Sequence, residues 1–383
     1  MSHLIPYGHQ SIDAEDIDAV VSVLKSDWLT TGPQVTAFER AITEYTGCRH
    51  AVAVNSGTSA LDIAVQALNL PKGAEVITTP FTFAATNNAL LYHDLIPVFT
   101  DIEKETRNID PDRIRKNISK KTKAIIFVDY AGQPCRIDEI REIASEHNLL
   151  LVEDACHALG ASYHSKKIGS FAADMTIYSF HPVKPITTGE GGAVVTDHPD
   201  FAEKLRILRT HGIDKGVKDR LGPNADWVYD MVELGRNYRM TDFQAALGIS
   251  QMKKLEKFIA KRNKIARVYT ELLSDFPFIE TPITQEGVTH GWHLYTILLE
   301  NVNRDKFYAF MRTQGIGVNV HYIPTYHFSY YRRNIPVNPW DYPVTEDVFN
   351  RIITIPLYPS LTEDEISFIV ERIKDAGKKF YGR

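Results

Sequence analysis

Lys184 lies between two prolines, in the segment S-F-H-P-V-K-P-I-T-T-G-E-G-G of residues 179–192. Pro182 and Pro185 keep this lysine out of a regular helix, and the run before it is apolar. A lysine in apolar, constrained surroundings loses its proton readily and can form a Schiff base with a carbonyl compound. Ser179 offers a hydroxyl that suits a phosphate oxygen. The ordinary alternative is a solvated surface lysine.

Asp154 comes directly after the apolar run at residues 149–152. Ligands of open α/β sheets bind at the carboxyl ends of the strands. A carboxylate at such an end can pair with a cationic ring nitrogen. In pyridoxal phosphate this pairing keeps the pyridine ring protonated, so that the ring withdraws electrons. The alternative is that Asp154 only caps the helix that follows.

Gly57 follows the apolar run of residues 51–54 and begins a helix-like stretch. Glycine lets the backbone approach a ligand closely, and the free N–H groups of Thr58 and Ser59 at a helix N-terminus suit a phosphate. Many strand-to-helix turns look the same and bind no ligand.

Asn237 and Arg239 are polar residues that stand just before another helix. Thr241 or Asp242 would cap this helix. An ordinary helix entry would have the same residue types, so this segment alone does not separate a binding site from a structural turn.

These candidate residues lie where predicted strands and helices meet. Apolar runs of strand length alternate with helical stretches, which predicts an α/β domain with a mainly parallel sheet. The predicted strands are 51–54, Glu75–Thr78, 97–99, 124–128, 149–152, 176–180 and 193–196. The predicted helices include 58–68, 84–91 and Ile137–His147.

Two further helices are predicted before the first strand. One covers residues 11–25, with Ser11 and Asp13 as candidate caps, and the other covers 35–45 and ends at Gly47. The apolar stripe of the first helix would consist of Ile12, Val20, Val23 and Leu24.

The character of the chain changes after about residue 247. Residues 251–273 are predicted to form one long helix, 294–298 and 317–321 are strand-like, and Glu363–Phe380 is a final helix. This pattern predicts a smaller C-terminal α+β domain. We expect a large domain over residues 1–255, with the segment 1–30 near the active site, and a small domain over 256–383.

Composition excludes several classes of protein. The net charge of -5 lacks the basic excess of a nucleic-acid-binding protein. The three cysteines are far apart and form no zinc-binding pattern. The N-terminus does not resemble a signal peptide, and no apolar run is long enough to span a bilayer. We therefore expect a soluble, cytoplasmic protein that binds neither nucleic acid nor metal.

The four segments occur in the order found in the DegT/DnrJ/EryC1/StrS family of sugar aminotransferases, and the chain resembles that family over almost its whole length. The motifs N-S-G-T-S-A-L, E-D-A-C-H-A-L-G, S-F-H-P-V-K and G-R-N-Y-R-M-T-D-F-Q-A-A-L-G carry the resemblance. It implies a fold-type I enzyme with a mixed, mostly parallel sheet and a small C-terminal domain. It also implies a homodimer with shared active sites.

The resemblance implies roles for individual residues. Lys184 corresponds to the Schiff-base lysine and Asp154 to the partner of the pyridine nitrogen. The remaining cofactor contacts would be Gly57, Thr58 and Ser179 at the phosphate, Phe83 stacked on the ring, His157 against the ring, and Asn237 at the phosphate of the other subunit. L-glutamate would donate the amino group, pyridoxamine phosphate would be the intermediate form of the cofactor, and a ketosugar would accept the group. Lys184 would act as general base and then as general acid.

Within the family, residues 179–195 resemble the pseudaminic-acid branch. The implied substrate is UDP-2-acetamido-2,6-dideoxy-β-L-arabino-hexos-4-ulose, aminated at C4. One departure is Gly57, where that branch is expected to have alanine. Candidate sugar contacts are Thr30, Thr31, His321 and Tyr322. Basic residues at 215–220 could meet a diphosphate, although a solvated loop has the same composition.

Three alternatives remain open. The first is a C4 or C3 aminotransferase for another UDP-, GDP- or dTDP-linked ketosugar. The second is a non-catalytic regulator that binds pyridoxal phosphate, against which Lys184 and Asp154 both speak. The third is a Rossmann dehydrogenase, which would need a G-x-G-x-x-G motif after the first strand that this chain lacks.

Overall fold

The computed structural model describes residues 4–169, 171–214 and 227–382. Its strands are β1 (His50–Val54), β2 (Glu75–Thr78), β3 (Ile96–Phe99), β4 (Thr122–Val128), β5 (Leu150–Asp154), β6 (Ser162–Tyr163), β7 (Lys166–Lys167), β8 (Met175–Ser179), β9 (Gly192–Thr196), β10 (Ile213–Asp214), β11 (Asp230–Met231), β12 (Ile279–Glu280), β13 (Val288–Thr289), β14 (Tyr295–Leu299) and β15 (Ile352–Ile355). Its α-helices are α1 (Ala14–Leu24), α2 (Pro33–Thr46), α3 (Gly57–Ala67), α4 (Ala84–Tyr92), α5 (Pro111–Asn117), α6 (Ile137–His147), α7 (Pro199–Arg209), α8 (Asp242–Met252), α9 (Leu255–Leu273), α10 (Arg304–Thr313), α11 (Ser329–Asn334), α12 (Pro343–Arg351) and α13 (Glu363–Phe380).

Seven strands form one sheet in the order β1-β9-β8-β5-β4-β2-β3. The strands β3, β2, β4, β5 and β8 pair in parallel, whereas β9 pairs antiparallel with both β8 and β1. The carboxyl ends of the parallel strands therefore share one edge, which is where open α/β sheets bind ligands. The prediction of an α/β fold with a mixed, mostly parallel sheet is confirmed.

The sheet lies between two apolar layers. On β4, Ile125 and Phe127 join one buried cluster, whereas Ala124 and Ile126 join another. Helix α6 contributes to the first cluster and α3 to the second. Both faces of the sheet are thus covered, as the continuous apolar runs of parallel strands require.

A third buried cluster is made mainly by residues 265–376 and packs the antiparallel sheet β12-β14-β15 against α9, α10 and α13. Helix α13 begins with a capping box between Thr362 and Glu365, and Lys378 and Lys379 lie in its last turn, where positive charge suits the helix dipole. Among the helices described, none is long and apolar enough to cross a membrane.

Helix α1 differs from its prediction in both its cap and its buried face. Asp13 caps it in a capping box with Asp16, so Ser11 is not the cap. Of the predicted stripe, Val23 is buried, but Ile12 and Leu24 are exposed. The predicted apolar stripe of α1 was wrong because the face of α1 that turns inward includes a polar residue. Gln251 donates a hydrogen bond of 2.8 Å to the buried carboxylate of Asp16 on this face. Gly47 does end α2, in the left-handed conformation predicted for it.

The single helix predicted over residues 251–273 is two helices, because α8 ends at Met252 and α9 begins at Leu255. No proline or glycine causes this break. After the break, Ile259 of α9 packs on Gly160, where a Cβ atom would stand only 2.5 Å from Ile259 Cγ1.

The strand predicted over residues 317–321 is also absent. Asn319 forms an isolated bridge with Thr354 and goes no further. Two residues earlier, the N–H of Gly317 donates to the carbonyl of Ile5 at 2.7 Å, so the ladder does not extend in that direction.

Candidate active site

A cavity of about 580 Å³ opens at the carboxyl ends of β4, β5 and β8. The N-terminus of α3 and residues 319–323 complete its walls, and Tyr7 reaches it from the N-terminal segment. The predicted site residues that line it are Gly57, Thr58, Phe83, Asp154, His157, Ser179, Lys184, His321 and Tyr322.

Asp154 is the last residue of β5 and is buried. Its Oδ2 accepts a hydrogen bond of 2.7 Å from the Thr86 hydroxyl, and its Oδ1 accepts one of 3.2 Å from the backbone N–H of Cys156. No helix follows β5 directly, so Asp154 is not a helix cap. Two donors instead hold a carboxylate that faces the cavity.

Lys184 lies in a turn, where its backbone N–H donates to the carbonyl of His181 at 2.9 Å. Burial lowers the pKa of its amine below the usual range for lysine, although the nearby Cys156 and Asp154 act in the opposite direction. Its side chain lines the cavity and is only partly exposed, so Lys184 is not a freely solvated surface lysine.

An anion-binding surface lies at the N-terminus of α3. The Ser56 hydroxyl caps the helix by accepting the backbone N–H of Ser59 at 3.0 Å. A Cβ atom at Gly57 would stand 2.8 Å from Cβ of Ser179, so only glycine leaves the backbone and the Ser179 hydroxyl this close together. The helix end and the hydroxyl offer the donors that a phosphate needs.

His157 has a definite tautomer in this arrangement. Its Nδ1 accepts the backbone N–H of Ala131 at 3.2 Å, which places its proton on Nε2, 3.1 Å from the Tyr322 hydroxyl. Burial lowers the pKa of His157 well below the usual range, so the ring is neutral. A neutral ring with a fixed N–H presents a donor to its neighbours without adding charge.

His321 lies on the opposite wall of the cavity. Its Nδ1 is 2.8 Å from the Thr354 hydroxyl, and its backbone carbonyl accepts a hydrogen bond from Tyr130. Burial lowers the pKa of His321 to about 3. Phe83 is largely exposed at the mouth of the cavity, with its ring centroid 6.1 Å from that of Tyr322.

Three predicted site residues lie outside the cavity. Thr30 forms an isolated β-bridge with Thr241, and Thr31 follows it in an exposed loop. Asn237 is exposed and forms an isolated β-bridge with Thr210. The Asp242 carboxylate joins the two segments by accepting the N–H groups of Gly32 and Gln34 at 2.7 and 2.8 Å. These residues therefore share one surface. The basic residues at 215–220 lie outside the described part of the chain.

Sequence reasoning missed two residues of the site, Thr86 and His293. Thr86 stands three positions after Phe83, one helical turn further along α4, and this spacing was a usable signal. His293 lies 3.5 Å from Nζ of Lys184, but 109 residues separate the two in the chain, so no local pattern connects them.

The residues of the cavity fit pyridoxal phosphate. An amine, a carboxylate and an anion-binding helix end line one cavity, as an aldehyde, a ring nitrogen and a phosphate on one molecule require. The bare backbone at Gly57 supports the fit, because a side chain there would fill the place where the anion must approach.

Comparison with known proteins identifies the family. Residues 10–374 match the model of the DegT/DnrJ/EryC1/StrS aminotransferase family. The UDP-4-amino-4,6-dideoxy-N-acetyl-beta-L-altrosamine transaminase of Campylobacter jejuni is 44% identical over 336 residues, which cover 86% of this chain and 86% of that protein.

Solved structures agree with this match. Helicobacter pylori PseC, an aminotransferase involved in the biosynthesis of pseudoaminic acid, has a TM-score of 0.91 and 33% identity, covering 98% of this chain and 100% of its own. Spr1654 from Streptococcus pneumoniae has a TM-score of 0.92 and 30% identity in its PMP form, covering 98% of this chain and 99% of its own. A PLP form of Spr1654 also exists, with a TM-score of 0.91.

The expected fold, enzyme class and cofactor are thus confirmed. The family match covers both halves of the chain, and the cavity contains the groups that the cofactor needs. The chain belongs to the DegT/DnrJ/EryC1/StrS aminotransferase family, and it is an aminotransferase that uses pyridoxal phosphate.

Proposed function

We propose that this enzyme transfers the amino group of L-glutamate to C4 of a nucleotide-linked 4-keto-6-deoxy sugar. The specific acceptor is UDP-2-acetamido-2,6-dideoxy-β-L-arabino-hexos-4-ulose, a step of pseudaminic acid biosynthesis. The observation that carries the proposal is the one cavity where Lys184, Asp154 and the N-terminus of α3 meet. The names of the Campylobacter transaminase and of PseC support the choice of sugar.

Lys184 and Asp154 divide the proton chemistry between them. Pyridoxal phosphate, when bound, supplies a protonated ring that withdraws electrons from the reacting carbon. Asp154 holds the proton on the ring nitrogen, and the bonds from Thr86 and from the N–H of Cys156 keep its carboxylate in place. In each half-reaction Nζ of Lys184 accepts a proton and then delivers it, acting as general base and then as general acid. Its lowered pKa favours the neutral amine that accepts.

The remaining cofactor contacts follow from the cavity walls. Gly57, Thr58 and Ser179 bind the phosphate through backbone N–H groups and a hydroxyl. Phe83 stacks on one face of the ring, and His157, neutral and fixed by Ala131, contacts the ring substituents.

The sugar enters at the mouth of the cavity. His321 and Tyr322 line the wall there, and the exposed apolar side chains of Phe83, Ile323 and Phe328 form a rim that suits the faces of a deoxysugar. Burial keeps His321 neutral, and its ring nitrogens contact the Thr354 hydroxyl at 2.8 Å and the Asn319 amide at 3.2 Å, so the ring forms a fixed, uncharged part of this wall.

A homodimer completes the site in this proposal. Helix α1 exposes Ile17, Val21 and Leu24, which stand on one face at helical spacing. A second exposed apolar stretch includes Trp227, whose side chain is 80% exposed, and Leu234. Exposed apolar residues in such number are typical of a subunit interface.

Thr30 and Thr31 follow α1 in the sequence, and Asn237 follows Leu234. All three are exposed to solvent. In a dimer the partner's Asn237 reaches the phosphate, and the partner's Thr30 and Thr31 reach the sugar. This arrangement explains why the three residues do not line the cavity of their own chain.

Two coarser features belong to the same proposal. The division into a large domain over residues 1–255 and a small one over 256–383 agrees with the separate apolar cluster built mainly from residues 265–376. A cytoplasmic location agrees with the free cysteines Cys48, Cys135 and Cys156.

The absorption spectrum of the purified protein tests this function directly. A protein with pyridoxal phosphate is yellow, and L-glutamate should bleach it by converting the cofactor to its amine form. Addition of the UDP-linked L-arabino 4-ketosugar should restore the colour. Both changes in sequence, with ping-pong kinetics, would establish the two half-reactions.

Other outcomes would redirect the proposal. Bleaching without recovery would reject this ketosugar and favour another UDP-, GDP- or dTDP-linked sugar. A protein that binds the cofactor but never bleaches with any amino donor would favour a non-catalytic regulator.

A further inference from the structure

His293 makes a hydrogen-bond contact with the amine that performs the proton transfer. Its Nε2 lies 3.5 Å from Nζ of Lys184. Among the described residues, no other hydrogen-bond contact to this amine is found. The amine therefore rests against His293 when it is not joined to a carbonyl compound.

Backbone hydrogen bonds and a contact with the His157 ring hold His293 in place. Its backbone N–H donates to the carbonyl of Ala131 at 2.9 Å, and its ring centroid lies 4.4 Å from that of His157. The buried guanidinium of Arg262 donates to the carbonyl of the preceding residue, Trp292, at 3.0 Å. The ring has little freedom to follow the amine when the amine moves.

The ring can accept a hydrogen bond from Lys184. His293 is buried, and burial together with the Lys184 charge lowers its pKa well below the usual range, so it is neutral. Its Nδ1 is buried without a partner, so that Nε2 makes the one hydrogen-bond contact of the ring. An amine has N–H groups to donate in both protonation states.

We propose that His293 is a positioning residue for Lys184, which holds the amine at one side of the cavity whenever Lys184 is not bonded to the cofactor. The separation of 3.5 Å is long for a hydrogen bond, so the amine leaves this position at low cost. His293 thereby returns the amine to one place between the two half-reactions. The inference rests on the proposed role of Lys184.

The test measures the amine itself, in protein freed of cofactor. Competitive labelling with acetic anhydride at a series of pH values, read by peptide mass spectrometry, gives the pKa and reactivity of Lys184. The groups that face this amine are Asp154, Cys156, His157, His293 and His321. Only His293 is altered, so a change in the titration reports its contact.

His293→Phe and His293→Asn should each lower the proton affinity of Lys184 about twofold to threefold, because the ammonium form loses a weak acceptor. His293→Gln should restore the parent value, because its longer side chain again presents an oxygen. His290→Phe is the matched control: His290 is equally buried in the same segment, but stacks on Trp292 at 3.7 Å and does not contact Lys184. It should leave the titration unchanged.

An unchanged titration of Lys184 in both His293→Phe and His293→Asn would overturn this inference. The proposed function has a separate test, since normal turnover by Lys184→Ala would overturn the role of Lys184 itself. If His293→Phe does not fold, the comparison of His293→Asn with His293→Gln decides.

Discussion

The hydroxyl of Thr86 donates a hydrogen bond of 2.7 Å to Oδ2 of Asp154. Thr86 itself is within 2.9 Å of the Thr82 hydroxyl, so a short chain of hydroxyls leads to the carboxylate. Helix α4 thus supports the carboxylate that we propose to pair with the ring nitrogen. A support of this kind decides how firmly the carboxylate is held, and substitution can measure it.

Thr86→Val removes the donor and keeps the shape of the side chain. A hydrogen bond to a charged group contributes about 1.5 kcal/mol or more, so kcat/KM should fall about tenfold. Thr82→Val is the control, because its hydroxyl is one step further from Asp154 and its loss should cost less. Equal activity of Thr86→Val and the parent would show that the carboxylate needs no such support.

Lys184→Ala should lose at least about 10³-fold in kcat, since a general acid and base contributes 10²- to 10⁴-fold. The cofactor should still bind to the variant through its phosphate and ring contacts, which equilibrium dialysis can measure. Rates near the parent's would remove Lys184 from the mechanism.

Asp154→Asn should also reduce kcat strongly, by about 10²-fold or more, because a neutral amide no longer holds the proton on the ring nitrogen. The substitution keeps the shape of the side chain, so the melting temperature should change little. Near-normal turnover in a folded Asp154→Asn protein would contradict the pairing.

The proposed sharing of the site between subunits predicts complementation between two defective subunits. Lys184→Ala subunits mixed with Asn237→Ala subunits form heterodimers in which one site has an intact Lys184 and the partner subunit's Asn237. Activity should therefore rise on mixing, and each heterodimer should reach about half of the parent value. If Asn237 acts within its own chain, or if the protein is a monomer, mixing will restore nothing.

The lowered pKa of His321 predicts how the free energy of unfolding depends on pH. Its folded-state pKa of about 3 lies below the unfolded value near 6.5. Between these two values the unfolded chain binds the extra proton, so stability falls as pH is lowered through this range, by up to about 1.4 kcal/mol per unit. In urea unfolding between pH 4.5 and 6.5, the free energy of unfolding of His321→Gln should change less with pH than that of the parent. Identical slopes would mean that His321 does not titrate in this way.

The sequence predicted the parts of the site that lie at strand ends. Asp154 follows an apolar run and Lys184 lies between prolines, so local pattern places each at an edge of the sheet. Gly57 could be predicted for the same reason. The family resemblance added the roles of Phe83 and His157.

Other features depend on contacts between distant segments and could not be predicted locally. Ile259 packs on Gly160 after the break before Leu255, and Asp16 on the inner face of α1 is paired with Gln251. His293 meets Lys184 only because the C-terminal half folds over the edge of the sheet. The residue pattern within one segment does not show which distant segment will pack against it.

The close approach of Gly57 to Ser179 has a consequence for the evolution of this lineage. An alanine Cβ at position 57 would stand 2.8 Å from Cβ of Ser179. The two positions therefore cannot vary independently: an alanine at position 57 requires the strand end that carries Ser179 to shift outward.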